Sequence, residues 1–130
     1  MGITYAEGVA SSNGHREKVR FLVDSGASFT LLPEEIWRAL GLREKRSIRI
    51  QLADGTVLRR PVGECRVEFE WGDVVTPVIL GQPGDVALLG ALTLEELGLV
   101  LHPLTRTLQP MEMFLPTMLK AEIEPRAGPS

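Results

Sequence analysis

The amino-acid sequence predicts an all-β fold: a single domain built as a small closed or nearly closed barrel, with one short helix in its C-terminal half. Three observations support this fold class. Apolar and polar residues alternate with period two in several segments, as expected for strands with one buried face. Pairs that favour tight turns, Asn13–Gly14, Asp54–Gly55 and Gly72–Asp73, separate those segments as in hairpins. At 130 residues, 44% of them apolar, the chain is large enough to bury a core.

The composition is that of an ordinary globular protein, since 24% of the residues are charged and the net charge is only −3. The basic runs Arg43–Arg46 and Arg59–Arg60 are short, so we expect no nucleic-acid partner. No segment approaches the roughly 18 apolar residues of a membrane span, and the N-terminus lacks a secretion signal. We therefore expect a soluble, cytoplasmic protein with no membrane partner.

Cysteine and histidine usage indicates neither a disulfide framework nor a metal site. Cys65 is the single cysteine, which excludes an intramolecular disulfide, and we interpret it as a small buried apolar residue. His15 and His102 are isolated and show no ligand spacing, so no metal and no cofactor is expected.

The first elements are predicted to be a hairpin followed by a short helix. Ile3–Ala10 and Lys18–Val23 have the composition of strands, and Asn13–Gly14 is the strongest short hairpin signal available. Leu31–Leu40 is interpreted as a short helix or helical turn, with Pro33 near its first turn and Gly41 after its end.

Two further hairpins are predicted in the middle of the chain. Ile48, Ile50 and Leu52 alternate with polar residues up to the Asp54–Gly55 turn, and Val57–Leu58 begins the return strand. Glu64–Trp71 alternates again, Gly72–Asp73 turns the chain, and Val74–Leu80 is the next strand. Pro77 within that strand indicates an edge position or a bulge.

The last third is predicted to contain one strand, one helix and two closing strands. Val86–Leu89 is an apolar strand that ends at Gly90. Thr93 and Glu96 have the spacing of a capping box, so Thr93 is predicted to cap a short helix that ends at Gly98. The closing strands are expected around Val100, Leu101, Leu104 and Leu108.

Asp24 directly follows a predicted buried strand and precedes Ser25 and Gly26. A carboxylate in that position is costly unless it is paired or used, because desolvation disfavours its charged form. Ser25 can hydrogen-bond backbone groups across a turn, and Gly26 allows close backbone approach, so both can hold a carboxylate at the floor of a cleft. The alternative is an ordinary strand-ending turn, since Asp, Ser and Gly are common turn residues.

The segments Phe21–Ala27 (FLVDSGA) and Leu88–Leu94 (LLGALTL) lie far apart in the sequence. Together they resemble the two signatures of the retropepsin-like aspartic proteases, the retroviral type of acid protease. The first matches an apolar run followed by Asp-Ser/Thr-Gly-Ala, and the second an apolar pair, a glycine and a short leucine-containing helix. Asp54–Gly55, at a hairpin tip between them, fits the place of that family's flap. The resemblance covers roughly Val19–Leu104.

The resemblance implies an acid-protease barrel over residues 1–120, followed by a tail over residues 121–130 that we expect to be mobile. The residues to which it assigns roles are Asp24 as the catalytic residue; Ser25, Gly26 and Ala27 as support of the active-site loop; Ala53, Asp54 and Gly55 as the flap over the substrate; and Leu88, Leu89 and Gly90 as the second signature. Ala91 departs from the family, because many relatives carry a polar or charged residue after this glycine.

Aspartic protease chemistry needs two carboxylates that face one water and share a proton. Only one aspartate of this chain stands in an Asp-Ser-Gly setting, so a second must come from another copy. The sequence therefore predicts an aspartic endopeptidase that acts as a symmetric homodimer on an extended peptide or protein substrate.

Other functions remain open at this point. A catalytically silent peptide-binding or dimerisation module that keeps the protease fold is the main alternative, since fold does not fix function. A serine hydrolase using Ser25 or Ser28 with a histidine is disfavoured, because no Gly-x-Ser-x-Gly segment is present. We expect a complete chain rather than the protease segment of a larger polyprotein.

Overall fold

Nine strands and two short helices make up residues 3–111, the part of the chain that the computed structural model describes. In chain order they are β1 (Tyr5–Ser12), β2 (His15–Val23), β3 (Thr30–Leu32), α1 (Glu34–Ala39), β4 (Arg46–Gln51), β5 (Val57–Phe69), β6 (Gly72–Leu80), β7 (Leu88–Leu89), α2 (Ala91–Glu96), β8 (Leu99–Leu101) and β9 (Leu108–Pro110). The predicted all-β class is confirmed. The predicted fold class names one short helix, which is α2, and the segment predicted as a short helix or helical turn contains the second helix, α1. The predicted tail, residues 121–130, and the domain limit at residue 120 lie outside the described residues.

The main sheet closes on itself. Seven strands pair in the order β1-β2-β7-β3-β6-β5-β4, and β1 also pairs with β5, Val9–Ser11 lying against Arg66–Glu68. This last pairing joins every strand of the sheet except β4 into a ring. Among the described strands, β4 pairs with β5 alone. β8 and β9 form a separate two-stranded sheet. The hydrogen-bonded ring is the closed barrel that the alternating pattern predicts.

Alternate residues of the ring strands fill its interior, as the two-residue period of a strand requires. On β2, Val19, Phe21 and Val23 are buried, and the Phe21 ring lies 5.6 Å from that of Phe69 between centroids. Cys65 belongs to the same core with 3% exposure, as predicted.

The β1–β2 hairpin confirms the Asn13–Gly14 prediction. Both residues have positive φ, 53° and 78°, as a two-residue type I′ turn requires. The Asn13 side-chain amide also donates to the carbonyl oxygen of Leu40 at 3.0 Å and so ties this turn to the end of α1.

Helix α1 is shorter than the predicted segment 31–40. Leu31 and Leu32 belong to β3, a fully buried strand between β6 and β7, where partners on both sides override the local helical pattern. The helix ends as predicted at Gly41, whose φ is 70°. Gly41 and Leu42 donate backbone hydrogen bonds back into the helix in a Schellman motif.

The two predicted strands between residues 57 and 71 are one continuous strand, β5, which spans Val57–Phe69. Gly63 lies inside it, and a Cβ there would be 3.0 Å from the carbonyl oxygen of Arg43, so the glycine allows the chain before β4 to pass close by.

Pro77 was predicted to lie at a sheet edge or a bulge, and the edge position is correct. β6 pairs with β3 only over Val78–Leu80, so at Pro77 the only neighbouring strand among the described residues is β5.

The capping prediction for α2 is wrong. The helix begins after Gly90, which is its N-cap residue, and Thr93 lies inside it with its side chain buried. Two further predictions differ from the structure. The strand predicted over Val86–Leu89 contains only Leu88–Leu89, and Leu104, predicted in a closing strand, lies in the β8–β9 turn with 87% exposure. Within residues 3–111 no helix has the length and apolar character needed to cross a bilayer.

Candidate active site

Asp24 and Gly90 lie side by side at one end of the barrel. β2 and β7 run parallel, with Val23 opposite Leu89, so the residues that follow both strands emerge at the same edge. The backbone N–H of Asp24 donates to the carbonyl oxygen of Leu89 at 3.1 Å. The first and second signature segments, predicted to act together, therefore meet in the structure.

The loop after β2 holds the Asp24 carboxylate. The backbone N–H of Gly26 donates to Asp24 Oδ1 at 3.0 Å, and the N–H of Ala27 donates to the Asp24 carbonyl oxygen at 3.0 Å. A Cβ at position 26 would lie 3.2 Å from Oδ1, so glycine suits this approach. Among the described residues, Oδ2 has no hydrogen-bond partner, and the Asp24 side chain is exposed. The loop thus fixes one carboxylate oxygen and leaves the other without a hydrogen-bond partner within residues 3–111.

Helix α2 contacts the same loop through its first two residues. The N–H groups of Ala91 and Leu92 donate to the carbonyl oxygens of Ala27 and Ser28, at 2.8 and 3.0 Å. These are backbone groups that a helix start normally leaves without partners. The loop carbonyls satisfy them, which explains why the helix begins here without a side-chain cap.

Gly90 permits this contact because it packs directly on the backbone that follows the loop. A Cβ at position 90 would lie 2.5 Å from both the carbonyl carbon and the carbonyl oxygen of Phe29. Real Cβ atoms do not approach backbone that closely, so only glycine fits. Sequence analysis assigned Gly90 to the second signature, and the structure supplies this steric reason for it.

A cleft of about 710 Å³ opens beside the loop. Gly26, Ala27 and Phe29 form one wall, and Ile48 and Ile50 of β4 form the wall opposite. The β4–β5 hairpin, predicted to be the flap, therefore contributes its first strand to the same cleft as the Asp24 loop.

Leu88 also lines this cleft, whereas Leu89 points into the core and is fully buried. The two leucines of the second signature thus face opposite sides of β7, as neighbouring strand residues must. One side chain is available to a ligand and the other to the barrel interior.

The tip of the hairpin carries the predicted flap residues Ala53, Asp54 and Gly55, all exposed, and none of them lines the cleft. Asp54 Oδ1 accepts a 2.8 Å hydrogen bond from the N–H of Thr56. Hydrogen bonds from the Thr56 side chain and backbone lower the pKa of Asp54. Gly55 has φ of 90°, the conformation that the Asp54–Gly55 turn signal predicts. Asp54 thus shapes the turn.

The histidines of the serine-hydrolase alternative are engaged elsewhere. His15 lines a different cavity, together with Asn13 and Arg43. His102 Nδ1 accepts from the N–H groups of Leu104 and Thr105, both at 3.3 Å, and so shapes the β8–β9 turn. No group of three or more His, Cys, Asp or Glu side chains gathers within residues 3–111 to hold a metal.

The sequence pattern predicts Thr93 only as a helix cap and does not predict the buried threonines behind the site. Thr30 begins β3 with no exposure, and its Oγ1 accepts a 3.0 Å hydrogen bond from the N–H of Gly90. Thr93 Oγ1 lies 2.6 Å from Thr30 Oγ1. The signal available was a polar residue at a position where the neighbouring pattern requires an apolar one, but threonine is also an ordinary strand former.

Comparison with known proteins agrees with this arrangement. The model of the family described as gag-polyprotein putative aspartyl protease matches residues 10–96. Among solved structures, the chain is similar to the solution structure of the Simian Foamy Virus (mac) protease, with a TM-score of 0.54. The identity is 22%, over 72% of this chain and 94% of that chain, so this likeness concerns the fold. Comparison with curated proteins gives no match.

The family match covers more than half of the 130 residues and includes both the Asp24 loop and Gly90. The chain therefore belongs to the gag-polyprotein putative aspartyl protease family, within the retropepsin-like aspartic proteases.

Proposed function

We propose that this chain is an aspartic endopeptidase that works as a homodimer and hydrolyses extended peptide segments. The observation that carries the proposal is the setting of Asp24. Asp24 is exposed, and the N–H of Gly26 holds its Oδ1. Gly26 and Ala27 of the same loop line the cleft, although Asp24 itself is not one of the lining residues. The family to which the chain belongs supports the same chemistry.

The proposed second carboxylate is the Asp24 of a partner chain. The chain has four aspartates, and the other three are engaged: Asp54 with Thr56, Asp73 with Arg66 and Asp85 with Arg60. A two-fold axis beside the loop would place two copies of Asp24 opposite each other. Leu92, at the start of α2 and 37% exposed, is an apolar residue that such a partner would cover.

In the proposed dimer the two carboxylates share one proton, because like charges a few ångströms apart do not both ionise. The ionised Asp24 removes a proton from a water molecule, and that water attacks the peptide carbonyl carbon. The protonated Asp24 donates its proton to the carbonyl oxygen, which gives a tetrahedral diol. When the diol collapses, the carboxyl group that took the proton from water donates it to the peptide nitrogen and the C–N bond breaks. The other carboxylate takes a proton from a diol hydroxyl group, which restores the pair with one shared proton. Ser25 is proposed to brace the loop of the opposite chain, and Gly26 and Ala27 to line the cleft.

An extended peptide suits the shape of the cleft. Within residues 3–111, β4 is the last strand of the sheet and pairs with β5 alone, so we propose that its other edge bonds a peptide backbone. The adjacent walls are apolar, with Ile48, Ile50 and Leu88 facing the cleft. We propose that apolar side chains on both sides of the cleaved bond fill these walls, while the hairpin around Asp54 covers the peptide.

The test compares purified wild-type protein with Asp24→Asn on a peptide library between about pH 4 and 7, the range in which a shared-proton carboxylate pair works. Asp73→Asn is the control, since its side chain pairs with Arg66 on the outside of the barrel. We expect cleavage by the wild type and the control and none by Asp24→Asn. A wild type without cleavage, or an equally active Asp24→Asn, contradicts the proposal.

A peptide-binding module without chemistry is the second candidate. It is favoured by the apolar lining of the cleft and by the edge of β4 that has no strand partner in the part of the chain that the structure describes. Measuring peptide binding and peptide cleavage on the same samples distinguishes the two functions. Retention of library peptides by both wild type and Asp24→Asn, without cleavage by either, would favour the binding module. Sizing by light scattering tests the shared site independently, because a strictly monomeric chain has only one suitable carboxylate.

A further inference from the structure

A buried chain of hydroxyl groups runs behind the candidate active site. Thr30, Thr93 and Thr76, on β3, α2 and β6, are all fully buried. Their Oγ1 atoms lie 2.6 Å apart between Thr30 and Thr93, and 2.9 Å apart between Thr93 and Thr76. At one end the N–H of Gly90 donates to Thr30 at 3.0 Å, and at the other Thr76 donates to Glu96 Oε1 at 2.6 Å.

The two ends fix the direction of every hydrogen bond between them. A hydroxyl group has one proton to donate. Thr76 gives its proton to Glu96, so Thr93 must donate to Thr76, and Thr30 must donate to Thr93. Thr30 then presents a lone pair to the N–H of Gly90. Glu96 is the acceptor that terminates the chain, and without it the buried Thr76 hydroxyl proton has no partner in this arrangement.

The row of threonine hydroxyl groups also fixes the orientation of α2 against the active-site loop. Glu96 and Thr93 are three residues apart and lie on the same face of the helix, and both bond to Thr76. The start of the same helix donates to the carbonyl oxygens of Ala27 and Ser28. A rotation of α2 that breaks the Glu96 contact therefore also displaces the groups that hold the loop of Asp24.

We propose that Glu96 is a positioning residue of the active site: it terminates the Gly90–Thr30–Thr93–Thr76 hydrogen-bond chain and thereby holds α2 and the Asp24 loop in register. The proposal rests on the proposed protease function for its effect on rate. The control of the loop by Glu96 does not depend on that function, because it is argued only from the hydrogen bonds described above. Glu96 does not touch the cleft, so its influence on the reaction is indirect.

The variants that test this role are Glu96→Ala, Glu96→Gln and the control Glu95→Ala. The glutamine keeps a carbonyl oxygen that accepts from Thr76, and the alanine does not. Glu95 is an exposed neighbour on the same helix turn, so its replacement removes an equal charge without touching the chain. We expect kcat for peptide cleavage to fall between about tenfold and a hundredfold in Glu96→Ala, with KM within about twofold. Glu96→Gln and Glu95→Ala should remain near wild type.

Amide hydrogen exchange provides a readout that does not depend on activity. In Glu96→Ala, exchange should accelerate by about tenfold or more at the N–H groups of Gly90, Ala91 and Leu92. The N–H of Val67, in the middle of β5, should exchange as in wild type, and Glu96→Gln should restore the protection of the first three.

Each result decides a separate point. If Glu96→Ala accelerates every amide equally, or if Glu96→Gln behaves like Glu96→Ala, Glu96 has no positioning role. A wild type that cleaves nothing overturns the proposed function, and the exchange pattern alone then decides the role of Glu96. Thr76→Val gives a second route if Glu96→Ala fails to fold, since it removes the acceptor of the Thr93 proton, interrupts the same row of hydrogen bonds one step earlier and should produce the same local pattern.

Discussion

The backbone N–H of Asp24 donates a 3.1 Å hydrogen bond to the carbonyl oxygen of Leu89, which joins two segments 65 positions apart in the sequence. This bond continues the parallel pairing of β2 with β7 by one residue beyond the strands. The residues with candidate roles in chemistry thus come directly from the ends of barrel strands, where the backbone is held on both sides.

The first prediction concerns the carboxylate itself. Asp24→Asn replaces an ionisable group with an amide of similar size and should lower kcat/KM by at least about a hundredfold. Because the side chain is exposed and its loop bond to Gly26 can still form, thermal unfolding should change little. Peptide cleavage and a thermal melt on the same sample measure both quantities. A large loss of stability would show that Asp24 has a structural role instead.

Gly90→Ala should be one of the most destabilising single-methyl additions to this chain. The new Cβ would lie 2.5 Å from the Phe29 backbone, and the loop and α2 cannot both stay in place. We expect unfolding free energy to fall by at least about 3 kcal/mol in urea titrations.

Gly14→Ala is the matched control for this steric argument. Its Cβ would meet nothing within 4 Å, so only the strain of its positive φ of 78° remains. That strain costs about 1–2 kcal/mol. Equal losses in the two variants would contradict the close packing of Gly90.

Stability should fall at acidic pH partly through Asp85. The N–H of Gln82, and then Arg60, lower the pKa of Asp85 below its ordinary value of 3.8. A carboxyl group with a lowered pKa in the folded state stabilises the fold above its unfolded pKa. That contribution is lost as the pH falls below about 3.8 towards the folded pKa. Melting temperatures recorded from pH 6 downwards should therefore decline less steeply in Asp85→Asn than in wild type.

Arg60→Gln separates the two causes of that shift. The backbone hydrogen bond from Gln82 is the largest single cause of the lowered Asp85 pKa and is still present in Arg60→Gln, so this variant should keep part of the acid dependence of wild type. If Arg60→Gln abolishes the dependence as completely as Asp85→Asn, the ion pair rather than the backbone bond dominates.

Cys65 should be inert in the folded protein. Burial, with a smaller contribution from Glu64, raises the pKa of the Cys65 thiol to about 12. The thiolate, the reactive form, is therefore scarce at neutral pH. An alkylating reagent added at pH 7.5 should leave Cys65 unmodified in native protein and modify it fully in denaturant, as read by mass spectrometry. Rapid labelling without denaturant would show that the thiol is accessible.

Much of this architecture follows from local sequence signals. The Asn13–Gly14 and Asp54–Gly55 turns require backbone conformations that these residues adopt easily, and both occur where predicted. The position of Asp24 at a strand end also follows from the apolar run before it. These features depend on neighbouring residues only, which is why a single sequence reveals them.

Features that depend on distant partners were mispredicted or missed. Thr93 has the spacing of a cap, but the start of α2 is satisfied by the carbonyl oxygens of Ala27 and Ser28, so the threonine is free to enter the core. Leu31 was assigned to a helix because β6 and β7, its strand partners, lie far along the sequence. The placement of Ala53 outside the cleft wall also depends on tertiary geometry.

The single long strand β5 has a mechanical consequence. Residues 62–69 pair with β6, whereas residues 57–61 pair with β4 and with no other strand in the described part of the chain. The β4–β5 hairpin thus projects from the barrel and is attached to it only where β5 begins to pair with β6, near Val62. A bend of β5 near Val62 would move the whole hairpin as a rigid unit and would carry Ile48 and Ile50 away from Leu88. The affinity for a bound peptide would then depend on how easily β5 bends near Val62, a residue outside the cleft.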